Sequence, residues 1–316
     1  MVSALVVGSN GNAGRELVRL LSKHPKISSL QTIGGRSKSK SPVSKFHVEA
    51  EGIRIPRLLL GKSDVVFTAT PAGAAGKLKK ELAPGIKLID LSDELRPPGN
   101  GEAVYGMSEI SRERIKGATI VANPGCYPTS ITLALAPLLA FGLVETGGIT
   151  VFSQSGYTGA GKNAKILDGL EGNSKFYNIT GHRHMREMES FMGIEMLSFT
   201  PCAMPYARGL VSAISATKSE PERILNLRDI YNAYYEDERF VHFMEGRPPC
   251  PSDVRGTNNC LIHAVEDGHS GTIKIISAID NLVKGAAGQA VQNMNIMFGF
   301  GEAEGLPTGN LPSKPF

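Results

Sequence analysis

Cysteine is scarce in this chain: four in 316 residues, at positions 126, 202, 250 and 260. So few scattered thiols give no disulfide framework, and reduced cysteines are expected. No Cys-x-x-Cys pair occurs, so a structural zinc site has no support. There is no apolar run long enough to span a bilayer, and no basic stretch with an apolar core at the start, as a secretory signal has. A cytoplasmic protein without a membrane partner is the expectation. Charge of one sign is also missing. The net charge is only +4 and dispersed, which gives no basis for nucleic-acid binding but suits anionic small molecules. Hydrophobic residues at 41% and charged residues at 20% are ordinary for a globular chain, and the length suggests roughly two domains. No internal repeat or low-complexity linker separates them.

A further absence concerns acids. No Asp or Glu lies between Glu16 and Glu49. This matters because of what surrounds the gap. Ala4–Val7 reads as a buried strand, Gly8-Ser-Asn-Gly-Asn-Ala-Gly14 as a glycine turn, and Glu16–Leu21 as the start of a helix. Strand, glycine turn and helix make the first unit of a dinucleotide-binding fold, in which the helix N-terminus meets a pyrophosphate. The spacing is G-x-x-G-x-x-G rather than G-x-G-x-x-G. Gly8, Ser9, Asn10, Gly11, Asn12, Ala13 and Gly14 are therefore candidate cofactor residues. Leu30–Ile33 reads as the second strand. An NAD enzyme usually places an acid after it to hold the ribose hydroxyls. Here Arg36, Ser37 and Lys38 stand there instead, suited to a 2′-phosphate, so NADP is the expected cofactor. Asp64–Thr70 and Lys87–Ser92 read as further strands. Thr70 and Pro71 fall at a strand end, where such sheets face their ligand. With a helix over Ser108–Lys116 and a strand over Thr119–Ala122, this half reads as a doubly wound parallel sheet.

Cys126 sits in Asn123-Pro-Gly-Cys-Tyr-Pro-Thr-Ser130, between that last strand and a helix predicted over Ile131–Ala136. The positive end of a helix favours a thiolate, the reactive form of cysteine. The pattern then changes. Ile149–Ser153 reads as a strand entering a glycine loop, Ser155–Lys162. In Thr180–Glu189, His184 and Glu187 are three apart and share a helix face, and a carboxylate beside an imidazole suits a general base. His182 and His184 are alternative metal ligands, but no third ligand is evident. Arg208 precedes a strand over Leu210–Ala216 and suits a carboxylate. A helix over Arg223–Tyr235 and a strand over Thr272–Ile279 follow. Gly285–Asn295 reads as a helix that returns to the first domain, and the tail from Gly299 reads as irregular.

Three stretches carry a family resemblance: Gly8–Gly14, Asn123–Thr129, and Asp280–Asn295. Together they resemble the N-acetyl-γ-glutamyl-phosphate reductase family, relatives of aspartate-semialdehyde dehydrogenase. The likeness extends to Tyr105-Gly106, Ser155-Gly156, His182-Arg-His184 and Arg208-Gly209. It implies an α/β fold: a Rossmann-type doubly wound sheet for NADP over 1–127 and 286–316, plus an inserted α+β domain of glyceraldehyde-phosphate dehydrogenase type over 128–285. A homodimer or homotetramer is implied too. Carried over by position, Cys126 is the nucleophile, His184 the acid/base and Glu187 its partner. Arg96, Asn123, Ser155, Gly156, His182 and Arg208 then line the substrate, and Asn281 the cofactor. The implied reaction is reduction of an acyl phosphate to a semialdehyde and phosphate through a cysteinyl thioester. Two segments depart from the family pattern, Ser92-Asp-Glu-Leu-Arg96 and Tyr105-Gly-Met-Ser-Glu109. A related lysine-pathway enzyme takes its substrate on an acidic carrier protein, and that partner is the alternative. Tyr127-Pro128 after the cysteine favours the free, N-acetylated glutamyl substrate.

Overall fold

The computed structural model describes residues 1–34, 47–50, 52–99, 101–160 and 168–309. The chain forms two compact units, Met1–Gly125 with Ala286–Leu306, and Cys126–Gly285 with the tail from Pro307.

The first unit is built on strands β1 (Val2–Val7), β2 (Ile27–Ile33), β5 (Val65–Thr68), β6 (Lys87–Asp90), β7 (Val104–Tyr105) and β8 (Ile120–Ala122). All pair in parallel, in the order β2-β1-β5-β6-β8-β7. A separate antiparallel pair, β3 (His47–Ala50) and β4 (Ile53–Pro56), lies beside them in sequence. Parallel strands are covered on both faces and read as continuous apolar runs. Val65, Val66, Phe67 and Thr68 accordingly have no exposed surface. Leu5, Val7, Ile55, Val66, Leu78 and Leu88 form one core cluster. Helix α1 (Asn12–Leu21) opens four residues before the expected Glu16, directly from the glycine turn, and buries Leu17, Leu20 and Leu21. Helices α2 (Arg57–Leu60), α3 (Ala74–Lys79) and α4 (Ser108–Lys116) complete the first segment.

In the second unit, helix α5 (Cys126–Ala140) is buried continuously from Tyr127 to Leu138. The helix expected over Ile131–Ala136 runs on through Pro137, although a proline deprives the carbonyl four residues back of its donor. That carbonyl is Leu133 O, and the Tyr235 hydroxyl donates to it at 2.6 Å. Tyr231 does the same for Ala134 O at 2.5 Å. The helix therefore continues through the proline with its buried carbonyls satisfied. Strands β9 (Thr150–Gly156), β10 (Lys175–Phe176), β11 (Ser198–Met204), β12 (Leu210–Thr217), β13 (Val241–Phe243), β14 (Cys260–Asp267) and β15 (Thr272–Ile279) make one mixed sheet. Its order is β10-β11-β9-β12-β15-β14-β13. Helices α6 (Arg183–Met192), α7 (Leu227–Tyr234) and α8 (Pro251–Val254) lie between these strands in sequence. Four of the strands, β10, β11, β13 and β14, were not predicted. The expected loop from Ser155 begins later, since Ser155 and Gly156 end β9.

A π-helical turn, Val283–Ala287, precedes the last helix, α9 (Gly288–Phe298). α9 belongs to the first unit and packs on α1 and α4. The amide nitrogens of two of its buried side chains are paired within this unit. Gln289 donates to Gly106 O (2.9 Å) and Ser108 Oγ (2.8 Å), and Asn293 donates to Gly106 O (2.9 Å) and Asn123 Oδ1 (3.1 Å). These bonds fix the end of β8, the strand that leads to Cys126.

Candidate active site

The glycine turn in the first unit is shaped by two close approaches. Gly8 has φ +92° and a Cβ there would fall 2.4 Å from Ala69 O; one on Gly14 would fall 2.2 Å from Gly8 O. Only glycine fits either place. Gly11 is different, since a Cβ on it would meet nothing nearer than 3.7 Å. Gly11 also caps α1 without a side-chain hydrogen bond, and no acid stands in the first turn. The positive helix end is thus left for an anion. Thr70 packs against the turn, its methyl 3.0 Å from the Gly8 Cβ position, and its hydroxyl is buried without a hydrogen-bond partner. Pro71 is exposed. These features suit a dinucleotide: a bare backbone cradle, a helix N-terminus, and a hydroxyl with capacity to spare. Arg36, Ser37 and Lys38 lie outside the described residues.

A test separates ligand from fold. Gly11→Ala is expected to leave the melting temperature within about 2 °C of wild type, as surface changes without strain do. It should still weaken dinucleotide binding by about tenfold, roughly 1.4 kcal/mol, measured by calorimetry. Unchanged affinity would reject the cradle.

The second unit holds the catalytic candidates. Cys126 is half-buried and is the first residue of α5, whose first turn carries no acid. The π-helical turn passes against it: a Cβ on Gly285 would stand 2.7 Å from Cys126 Cβ. Next to Cys126, Tyr127 is buried with its ring edge-on to Phe199 (5.1 Å) and to His184 and His182 (5.8 Å each). The Tyr127 and Tyr177 hydroxyls are 2.8 Å apart. Burial pushes the Tyr127 phenol well above its usual range and Tyr177 up to about 12, so both remain protonated at neutral pH. Sequence reasoning missed both tyrosines as site residues. Their only signal was position: Tyr127 follows the cysteine, and Tyr177 lies five residues before His182.

His184 and Glu187 are both buried on α6, with Nε2 and Oε2 4.0 Å apart. That is ion-pair range rather than a hydrogen bond. His182 stands at the N-terminus of α6, and its Nδ1 accepts from His184 N–H at 3.1 Å. Burial, helped by the Arg183 charge, pulls His182 down to about 4. Among the described residues no group of three His, Cys, Asp or Glu is placed to hold a metal.

The expected substrate and cofactor side chains are engaged as follows. Arg96 is buried and donates to Asn123 O and Leu91 O, each at 2.8 Å. Asn123 donates in turn to Ala286 O at 3.1 Å. Arg208 makes a two-pronged pair with the buried Asp280 carboxylate (3.0 and 3.1 Å). Asn281 accepts from Gly209 N at 2.8 Å and donates to Thr158 Oγ1 at 3.0 Å. Ser155 is buried, and a Cβ on Gly156 would fall 2.6 Å from Ala207 O. Within the second unit the structure brings together Cys126, Tyr127, Tyr177, His182, His184 and Glu187. Arg96 and Asn123 form a brace within the first.

Residues 3–118 match the family described as semialdehyde dehydrogenase, NAD binding domain, and residues 126–281 that described as semialdehyde dehydrogenase, dimerisation domain. A protein from Desulforudis audaxviator named N-acetyl-gamma-glutamyl-phosphate reductase is 39% identical, covering 97% of this chain and 98% of its own. One of the same name from Geobacter metallireducens is 39% identical over 100% of both. Among solved structures, aspartate semialdehyde dehydrogenase II from Vibrio cholerae superposes with a TM-score of 0.72 at 16% identity, covering 94% of this chain and 98% of its own. The Candida albicans aspartate semialdehyde dehydrogenase gives 0.65 at 19% identity, covering 94% and 99%. At such identity these two carry the fold alone, a parallel dinucleotide-binding sheet joined to a mixed-sheet domain.

Proposed function

This chain belongs to the N-acetyl-gamma-glutamyl-phosphate reductase family of semialdehyde dehydrogenases, and we propose that it reduces N-acetyl-γ-glutamyl phosphate to N-acetylglutamate semialdehyde and phosphate. The observation that carries the reading is Cys126, half-buried at the head of a helix with no acid in its first turn, in the same unit as His184 and Glu187. The Cys126 thiolate attacks the acyl carbon. The bond from that carbon to the phosphate oxygen breaks, phosphate leaves with the electron pair, and a thioester joins substrate to enzyme. The chemistry that a reduced nicotinamide would supply, held by Gly8–Gly14 and Thr70, is the hydride for the thioester carbon. His184 holds the proton for the oxygen on that carbon. When the carbonyl reforms, the carbon–sulfur pair returns to Cys126 as thiolate and the semialdehyde departs. The Cys126 backbone N–H, at the helix end, is the donor assigned to the developing oxyanion.

The cofactor is NADP in this reading. Gly8–Gly14 and Thr70 would hold the dinucleotide, with Arg36, Ser37 and Lys38 on the 2′-phosphate; the lack of any acid between Glu16 and Glu49 supports it. NADP should bind more tightly than NAD, and Arg36→Ala should remove about 1.5–3 kcal/mol of that preference. Equal dissociation constants in the wild type would reject it. Of the two expected assemblies, homodimer and homotetramer, the description of the second domain's family as a dimerisation domain supports the homodimer. Among the described residues no helix is long and apolar enough to cross a membrane. The deciding assay is oxidation of N-acetylglutamate semialdehyde with NADP and phosphate. If the free semialdehyde is inert and a carrier-linked one turns over, the substrate assignment falls.

A further inference from the structure

We infer that His182 is a positioning residue for His184: its ring closes the N-terminus of α6 and so sets where the neighbouring imidazole stands. This rests on His184 being the acid/base of the proposed reaction. Gly181 takes a left-handed turn (φ +66°) into the helix. His182 then stays extended (φ −60°, ψ 129°), as residues that cap helices do, and its Nδ1 accepts from His184 N–H at 3.1 Å. The His182 carbonyl meanwhile accepts from Met185 N at 2.9 Å. One side chain thus accepts from a donor of the first helical turn, and that donor is the backbone of His184 itself.

The cap dictates a tautomer. A ring nitrogen that accepts carries no proton, so the proton of neutral His182 sits on Nε2. Protonating the ring would turn N–H against N–H. The depressed basicity of His182, about 4, keeps that from happening above mild acidity. The ring has a second task. It lies 4.8 Å from the His184 ring, 5.2 Å from Phe199 and 5.9 Å from Tyr177, centroid to centroid. It is a wall for His184 as well as a cap beneath it. Serine or asparagine, the usual caps, would supply only the second of these.

The family resemblance counts His182 among the substrate residues, and a substrate contact and a cap predict different results. Asparagine keeps an acceptor for the His184 N–H and loses the ring. Phenylalanine keeps a ring and loses the acceptor. Alanine loses both. If His182 acts through the cap, His182→Ala should lower kcat by about tenfold to a hundredfold, the scale of a misplaced catalytic group, with KM little changed. His182→Asn should recover at least about tenfold over the alanine variant, and His182→Phe should not. A rise in KM common to all three, or asparagine no better than alanine, would overturn the inference. Nitrogen-15 NMR of the histidine rings reads the tautomer without any turnover. The wild type should show His182 neutral with its proton on Nε2 at pH 6, and a proton on Nδ1 would also overturn it. An enzyme inert toward N-acetylglutamate semialdehyde but with the expected tautomer would sink the proposed reaction and leave the cap intact.

Discussion

Replacing Cys126 with serine is expected to abolish turnover, by about 10⁴-fold or more, the scale on which loss of a covalent nucleophile is felt. Fold and dinucleotide affinity should stay close to wild type. The two side chains differ by one atom, and Cys126 lies at the rim of α5, half-buried, so packing changes little. Chemistry changes completely. A thiol reaches its thiolate near neutral pH with help from a helix N-terminus, and a hydroxyl does not. None of the other cysteines is placed to take over. Cys202 and Cys260 are buried, and Cys250 is turned toward Ser252 and Asp253 at 3.1 and 3.2 Å. Phosphate release from the acyl phosphate is the direct readout, with a cofactor titration as the control for fold. Turnover near wild type in Cys126→Ser would end the thioester mechanism.

The next largest effect is expected at His184. His184→Asn should lower kcat by about 10²–10⁴-fold, the usual share of general acid–base catalysis, and added imidazole should restore part of the rate. Glu187→Gln should cost less, because at 4.0 Å from His184 Nε2 the carboxylate orients and polarises the ring without sharing its proton. Both groups are buried, so the charge of Glu187 is felt more strongly than it would be in water. Steady-state rates for the two variants, compared with wild type at one pH, decide the matter. A His184→Asn enzyme within a few-fold of wild type would remove it from the reaction.

Much of this site was legible because its signals are local. A thiol between an apolar run and a helix, a glycine turn after a strand, and two side chains three apart on a helix are all statements about neighbours in sequence. The missing acid after β2 is equally local. The protein partners of the arginines were not. A cation that grips a substrate carboxylate and one that grips Asp280 look alike in a string, and the pairing of Arg208 with Asp280 spans 72 residues. Arg96 likewise reads as a ligand for an anion, and nothing in the string shows that it also ties Leu91 O to Asn123 O. Two of the unpredicted strands fail for a related reason. β10 has two residues and β13 three, too few to show a period, and each exists only because a neighbouring strand offers it hydrogen bonds.

The sequence by itself determined the strand–turn–helix opening, the parallel sheet, the placement of Cys126 at a helix head, and the joining of His184 to Glu187. Each follows from backbone geometry and hydrophobic period within some ten residues. Only the tertiary structure decided that α5 runs on through Pro137, because Tyr235, 102 residues beyond Leu133, gives the Leu133 carbonyl the hydrogen bond that the proline removes. It alone decided that Tyr177 reaches Tyr127, and that His182 spends its Nδ1 on a helix end. Hydrogen-bond partners are chosen by which groups burial leaves unsatisfied, and burial is a property of the folded whole.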